Sequence, residues 1–168
     1  MKKTAIAVFA VASIVAAALA NAKDPDIAFP ADYKSYKNYL SLDRTLNADQ
    51  VIRLFANEKA AAGVDGKGAL ADGSVLVAEI YKAKLNDKGE AIESSLGRRI
   101  RDKLAAIAVM EKRAGCCGDR PEEFRTGEWD FAVFSPDGKR LEKDLNTCRG
   151  CHNPLKDADF LFSYDHLK

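Results

Sequence analysis

The sequence lacks a marked excess of charge of either sign. It contains 26 Lys and Arg residues against 25 Asp and Glu residues, which gives a formal net charge of +1. With 47% hydrophobic and 30% charged residues, the composition is that of a globular protein and not of a disordered chain. Because no basic surplus is present, we expect no nucleic-acid partner.

Long apolar runs are also missing once the N-terminus is set aside. Two lysines precede an apolar stretch over 4–20, which closes on the small-x-small tripeptide Ala20-Asn21-Ala22. This pattern predicts a cleaved secretory signal peptide over 1–22 and one mature domain over 23–168. The best later run, 104–110, is too short to span a membrane. We therefore expect an exported, soluble protein of the periplasm with no membrane attachment after cleavage.

Histidine and methionine are scarce, with two of each in the whole chain. One histidine lies in Cys148-Arg149-Gly150-Cys151-His152, the C-x-x-C-H spacing of c-type haem attachment. At such a site each thiol forms a thioether with one haem vinyl group, and the adjacent imidazole is the proximal iron ligand. A thioredoxin-like redox pair or a structural disulfide are the alternatives for C-x-x-C alone. The adjacent histidine and the export signal favour one covalently bound haem c, held by Cys148 and Cys151 with His152 as the metal ligand.

The residues before this motif predict a helix. Leu141, Leu145, Cys148 and His152 recur at spacings of four, three and four residues. Pro154 follows where such a helix should end. Both cysteines and the histidine would then share one face of a C-terminal attachment helix.

Strand patterns dominate the rest of the mature chain. We expect a short helix over 32–42, then a strand over 51–56 that passes into a short helix capped by Asn57. Three further buried runs predict strands over 74–85, 104–111 and 129–134. The connections are too short for crossover helices, so the strands should pair antiparallel. The predicted fold class is α+β, mainly an antiparallel β-sheet with a few helices and a C-terminal haem-attachment helix.

This organisation separates the chain from two common kinds of haem protein. An electron-transfer cytochrome c is mostly helical and takes a methionine far downstream of the motif as sixth ligand. Here 16 residues follow His152 and none is methionine. A four-helix-bundle cytochrome c′ carries its motif near the C-terminus, but the strand patterns contradict a bundle.

Four segments, taken in order and spacing, resemble the cytochrome P-460 family. They are Asp-Gly-Ser-Val-Leu-Val-Ala-Glu at 72–79, Val-Met-Glu-Lys-Arg-Ala-Gly at 109–115, Gly-Glu-Trp-Asp-Phe-Ala-Val-Phe at 127–134, and the haem motif followed by Asp-Phe-Leu-Phe at 159–162. The resemblance implies a mainly β fold that is usually homodimeric. It also implies one of two functions. One kind oxidises hydroxylamine with a haem that carries an extra bond to a lysine; the other, cytochrome c′-β, lacks that bond and binds nitric oxide and carbon monoxide over a five-coordinate iron.

Two positions decide between these kinds. The resemblance places the cross-linking lysine at Ala78, which has no amine. Lys82 and Lys84 share its strand parity, but Lys82 lies about 13 Å further along a strand. The resemblance places a distal carboxylate near Ile107, where Glu111 is the one nearby acid of matching parity; a solvated strand end is the simpler interpretation of Glu111. Both positions favour cytochrome c′-β.

An open iron site needs an apolar wall, because apolar side chains exclude water and offer no competing ligand. The distal-pocket candidates are Phe55, Ala78, Ile80, Ile107, Phe131 and Phe134. Met110 and His166 are the alternatives for a sixth ligand. Met110 has the opposite parity to Ile107, so both cannot face the haem from one regular strand. His166 is expected at the surface.

Cys116 and Cys117 have no assigned role. A vicinal disulfide, an intermolecular bridge and two free or capped thiols are all open. Together with His166 they are too few for a zinc site.

The leading interpretation is a periplasmic mono-haem cytochrome that binds a small diatomic gas, chiefly nitric oxide. The sequence favours a binding protein over an enzyme, and an enzyme would be a hydroxylamine or nitric oxide oxidoreductase. We expect a homodimer that exchanges electrons with a redox partner protein. The alternatives are a six-coordinate electron-transfer cytochrome and a hydroxylamine-oxidising cytochrome, for which Glu111 is the candidate catalytic residue.

Overall fold

The computed structural model describes residues 27–168, so the predicted signal peptide over 1–22 lies outside the described residues. Its centre is one five-stranded sheet in which each strand pairs antiparallel with the next in the chain. The strands are β1 (Lys37–Asp43), β2 (Gln50–Ala56), β3 (Val75–Ala83), β4 (Arg101–Lys112) and β5 (Trp129–Phe134). The predicted α+β class and the three clearest predicted strands are confirmed.

In residues 27–168, two short α-helices accompany the sheet. Helix α1 (Glu58–Ala61) follows β2, and the side chain of Asn57 accepts a hydrogen bond from the backbone N–H of Ala60 at 3.0 Å. This is the predicted N-cap. Helix α2 (Asn146–His152) carries the C-x-x-C-H motif and passes into a 3-10 turn, Asn153–Ala158. Within the described residues no helix is long and apolar enough to cross a membrane.

The predicted helix over 32–42 is wrong. Only Tyr33–Ser35 forms a 3-10 turn, and β1 begins at Lys37. Tyr33, Tyr36 and Tyr39 are spaced by three residues and so imitate a helical stripe, yet they serve different layers. Tyr33 and Tyr36 pack against the core on one face of the sheet and Tyr39 against the core on the other, and pairing with β2 prevails over the local pattern.

The predicted start of the attachment helix is also wrong. Residues 141–144 are not helical, because the backbone N–H of Leu141 donates to the carbonyl of Val133 at 2.8 Å and keeps this segment beside β5. Helix α2 begins only after Leu145, which is buried. The helical spacing of Leu141 therefore reflects a strand-side contact.

Directly paired residues in an antiparallel ladder point to the same face, so the register assigns every side chain of the sheet. We call the face against which α2 packs the α2 face. Its core cluster contains Leu76, Phe131, Leu145 and Leu161, with Met110 and Cys148 packed against it. The opposite face is covered by the segment around Ile27 and Tyr33, which packs on Phe55, Val77, Ile107 and Val109.

Candidate functional site

Helix α2 carries the two motif cysteines, which differ in exposure. Cys148 is half-buried, Cys151 is exposed, and both are free thiols and not a disulfide. Burial raises the pKa of the Cys148 thiol, and the positive charges of Arg149 and Arg44 act against that rise. The spacing of three residues on a helix places both sulfurs near the same side of α2.

The His152 ring is held in one orientation. Its Nδ1 lies 2.6 Å from the carbonyl oxygen of Phe160. The rings of Phe131 and Phe162 meet it edge-on, with centroids 5.1 Å and 5.0 Å away. Burial lowers the pKa of His152, although the hydrogen bond to Phe160 acts in the opposite direction.

This hydrogen bond fixes the tautomer of His152. A carbonyl oxygen can only accept, so Nδ1 must carry the proton. Since burial favours the neutral ring, Nε2 is then the unprotonated nitrogen that can bind a metal ion. A histidine ligand normally donates its second ring N–H to a carbonyl or carboxylate in this way. His152 is therefore preorganised as an Nε2 ligand.

Beside α2 the sheet presents apolar side chains that the described part of the chain covers only partly. The members of this surface are half-buried, in contrast to Val77 (0% exposed) and Ile107 (1%) on the opposite face. They form two paired rows, Leu54-Ala78-Ala108-Val133 and Ile52-Ile80-Ala106. Val133 and Cys148 pack against the same buried cluster, so these rows are continuous with the surface on which α2 rests. A flat apolar group such as a haem fits such a surface.

The register divides the distal-pocket candidates into two groups. Ala78, Ile80 and Phe131 lie on the α2 face, and Phe131 contacts the His152 ring. Phe55, Ile107 and Phe134 lie on the opposite face in the core beneath Tyr33. The sheet therefore lies between these three side chains and the face against which α2 packs. The paired residues on the α2 face at this level are Ala106 and Ala108, which the sequence did not single out.

Glu111 is likewise on the opposite face. It pairs with Val75 and Asp130 in the ladder, and its charge helps to raise the pKa of Tyr36, after the larger effects of burial and of Asp32. Glu111 therefore lies on the face of the sheet opposite to Ala78 and Met110.

The remaining candidates are placed as follows. Met110 lies on the α2 face and packs against its core, as its parity relative to Ile107 required. His166 is exposed in the 3-10 turn Tyr164–His166. Lys82 forms an ion pair with Asp49 at 2.5 Å near the end of β3, and Lys84 is exposed beyond it. Neither lysine lies beside Ala78.

Sequence reasoning missed a buried charged cluster behind the motif. The carboxylate of Asp130 is fully buried and contacts three guanidinium groups, those of Arg113 (2.8 Å), Arg120 (2.7 Å) and Arg149 (3.4 Å). Arg149 is one of the two residues between the motif cysteines, so the cluster joins α2 to β5. The sequence feature that could have indicated this cluster is Asp130 itself, an aspartate inside the otherwise apolar strand β5.

A second missed contact is the buried ion pair of Lys112 with Asp159, at 2.7 Å and 2.8 Å to the two carboxylate oxygens. Asp159 immediately precedes Phe160, whose carbonyl accepts from His152. The Lys112–Asp159 ion pair and the contact of Phe160 with His152 are therefore made by adjacent residues of the chain.

Cys116 and Cys117 form a vicinal disulfide, which was one of the alternatives that the sequence left open. They are separate from the motif cysteines, and the loop that holds them follows β4. The structure assigns them no contact with His152.

Comparison with known families identifies a family model that matches most of the chain. The family model described as Cytochrome P460 matches residues 30–163, a span that includes the whole sheet, α2 and the Phe160 carbonyl. A comparison with curated protein sequences returned no significant match.

Proposed function

The chain belongs to the cytochrome P460 family and is therefore a haem cytochrome; from this premise we propose that it is a periplasmic mono-haem c-type cytochrome that binds nitric oxide or carbon monoxide at an open distal site. The observation that best supports this proposal is the orientation of the His152 ring, which Phe160 holds beside a half-buried apolar sheet face. In this proposal Cys148 and Cys151 hold the macrocycle through thioethers and Nε2 of His152 binds the iron. The haem supplies the iron coordination position at which the diatomic ligand binds.

The protein's own contribution is orientation and exclusion. The Phe160 carbonyl keeps Nε2 of His152 unprotonated, and Phe131 and Phe162 limit rotation of the ring. The half-buried rows of the α2 face contribute only hydrocarbon side chains next to α2. Such a surface excludes water and favours a small neutral ligand over a charged one.

The chemistry of these rows favours gas binding over hydroxylamine oxidation. Ala78 presents a methyl group where the resemblance requires a lysine for the cross-link. The neighbouring positions on the α2 face, Ala106 and Ala108, present no carboxylate that could accept a proton. Glu111, the acid considered from the sequence, is on the other side of the sheet.

One observation favours a second function. Met110 lies on the α2 face, within the cluster against which Cys148 packs. A thioether is a common sixth ligand of electron-transfer haems. A six-coordinate electron carrier with Met110 as axial ligand is therefore the alternative to the gas-binding cytochrome.

We also propose that the protein is exported, forms a homodimer and exchanges electrons with a redox partner protein. The N-terminal sequence pattern supports export and cleavage after Ala22. The family resemblance supports a homodimer, and a haem protein of this kind needs a redox partner protein to change oxidation state. N-terminal sequencing of the purified protein and light scattering on a sizing column test the first two.

Absorption spectra of the purified protein test the central proposal. Oxidised, reduced and reduced-plus-carbon-monoxide spectra should show a high-spin ferrous iron that takes up carbon monoxide readily. A low-spin ferrous spectrum that resists the gas would establish the electron-carrier alternative. A red-shifted ferrous band of a cross-linked haem would instead favour the oxidase.

Covalent attachment is tested on a denaturing gel stained for haem. The double variant Cys148→Ala, Cys151→Ala should lose the stained band. The matched control is Cys116→Ala, Cys117→Ala, which removes the vicinal disulfide and should keep the stain. Stain that survives in the first variant would refute the attachment.

A further inference from the structure

We propose that Lys112 and Asp159 form a positioning pair for the proximal histidine. Their ion pair fixes the carbonyl of Phe160 against Nδ1 of His152 and so sets how strongly the imidazole donates electrons to the iron. The inference rests on the proposed function only in taking His152 as the iron ligand.

The ion pair is enclosed and firmly anchored. Lys112 is the last residue of β4, and its side chain and that of Asp159 are 7% and 9% exposed. The ammonium group lies 5.6 Å from the centre of the Trp129 ring. The backbone N–H of Leu70 donates to the second oxygen of Asp159 at 2.9 Å. The sheet and the loop before β3 therefore hold this carboxylate in place.

The backbone at Asp159 needs such an anchor. Asp159 and Phe160 both have left-handed dihedrals, with φ of 46° and 61°. Two successive residues with side chains in this region are unfavourable, so surrounding contacts must offset the cost. The carboxylate contacts of Asp159 supply one part of the compensation, and the hydrogen bond from the Phe160 N–H to the Leu155 carbonyl, at 2.8 Å, supplies another.

The side chain of Phe160 completes the arrangement. A methyl group added at Gly127 would lie 2.7 Å from its ring, so the ring rests directly on that glycine. Leu161, the next residue, is buried in the α2-face core. Phe160 is thus held at its amide, its ring and both neighbours, with its carbonyl directed at His152.

The carbonyl of Phe160 lies 2.6 Å from Nδ1 of His152, and this contact links the ion pair to the histidine. Strong donation from Nδ1–H makes the ring more basic at Nε2. A more basic ligand stabilises ferric over ferrous iron. Loosening the ion pair should lengthen this hydrogen bond, weaken the iron–histidine bond and favour the ferrous state.

The test uses the holoprotein with the variant Asp159→Asn, which keeps the side-chain size and suits a left-handed backbone but removes the charge. We expect the ferrous-to-ferric ratio at a fixed electrode potential to rise about tenfold. The iron–histidine stretching frequency of the ferrous form should fall, and the Nδ1 proton of His152 should exchange faster with solvent by NMR.

The matched control is Glu79→Gln. It breaks another ion pair, that of the buried Glu79 with the half-buried Arg53 at 3.3 Å, on the opposite face of the sheet. This variant should lower the thermal midpoint and leave the ferrous-to-ferric ratio unchanged. A second variant, Lys112→Met, removes the other charge of the ion pair and should also raise the ratio, which keeps the test if Asp159→Asn does not fold. Lys112→Arg keeps the ion pair and should preserve the wild-type ratio.

Two results would contradict a positioning role for the ion pair. If Asp159→Asn shifts the ratio no more than Glu79→Gln does, or if Lys112→Arg shifts it as much as Asp159→Asn, the pair is structural only. Wild-type protein that carries no haem would instead overturn the proposed function. In that case the Nδ1 exchange rate, measured on the chain as purified, still decides whether the ion pair holds the hydrogen bond.

Discussion

Ala78 on β3 and Ala108 on β4 are direct partners in the antiparallel ladder, and their methyl groups point to the α2 face. Both are half-buried, although they lie in the middle of a five-stranded sheet. An antiparallel sheet can leave one face to water, but the side chains around this pair are apolar, so we propose that a flat apolar group, the haem, covers them. The pair places Ala78, where the resemblance puts the cross-linking lysine, on the face of the sheet against which the motif helix packs.

The first prediction is that the haem has two thioether bonds and no third link to the protein. Ala78 offers no amine, and Lys82 is engaged with Asp49 near the end of β3. Tryptic digestion should give peptides 144–149 and 150–156 joined through the haem, with no attachment to peptide 68–82. Mass spectrometry checks this directly. A product that includes peptide 68–82 would favour the hydroxylamine-oxidising kind.

The second prediction follows from strand parity. Ala108→Leu adds bulk on the α2 face and should weaken carbon monoxide binding to the ferrous protein by about tenfold or more. Ile107→Ala, one residue away on the opposite face, should cost about 2–5 kcal/mol of stability and leave gas affinity unchanged. Gas titrations and urea unfolding on both variants separate the effects. Reversed results would place the haem on the other face of the sheet.

Much of the fold could be predicted because its strands carry strong local patterns. The run over 129–134 is apolar at five of six positions and forms β5 with the predicted limits. The Asn57 cap and the strand before it were also predicted, since a cap is a local interaction. The helix over 32–42 was predicted wrongly because three tyrosines at helical spacing pack in two different layers of a sheet.

The site could be predicted only in part. The motif residues follow from covalent chemistry, which depends on a spacing of a few residues. Strand parity shows which residues share a face, but it does not show on which face a distant helix packs. Phe55 and Ile107 were therefore grouped with Ile80, although the sheet lies between them. The Lys112–Asp159 contact joins residues 47 apart in sequence, and no local pattern reports it.

The third prediction concerns Met110. If the distal site is open, the ferrous spectrum of Met110→Ala should remain high-spin, as in the wild type. The variant should lose about 2 kcal/mol of stability, since Met110 packs against the α2-face core. Absorption and magnetic circular dichroism spectra check the spin state. Conversion from a low-spin wild type to a high-spin variant would identify Met110 as the sixth ligand.

The fourth prediction concerns the buried charge behind the motif. Asp130→Asn leaves three guanidinium groups facing a neutral amide in a buried site, and it should cost about 3–5 kcal/mol. The matched control is Asp137→Asn, whose ion pair with Lys139 is mostly exposed and whose loss should change stability far less. Urea unfolding measures both. Equal effects would mean that the Asp130 cluster does not stabilise the fold.

The last prediction concerns alkaline pH and Tyr39. Its hydroxyl lies 2.9 Å from the hydroxyl of Ser163, and burial raises its pKa to about 12, although the Ser163 hydrogen bond acts against the rise. An exposed tyrosine ionises near pH 10. The folded protein therefore holds this proton where the unfolded chain releases it, so the contribution of Tyr39 to stability is complete below about pH 10 and is lost as pH rises through about 12.

Tyr39→Phe should reduce neutral-pH stability by about 1 kcal/mol through the lost hydrogen bond. The same variant should make the decline in stability between pH 10 and 12 shallower than in the wild type. Urea unfolding across this range, with NMR titration of tyrosines labelled at the Cζ carbon, measures both effects; an unchanged pH slope in the variant would show that Tyr39 is not the group whose ionisation destabilises the fold.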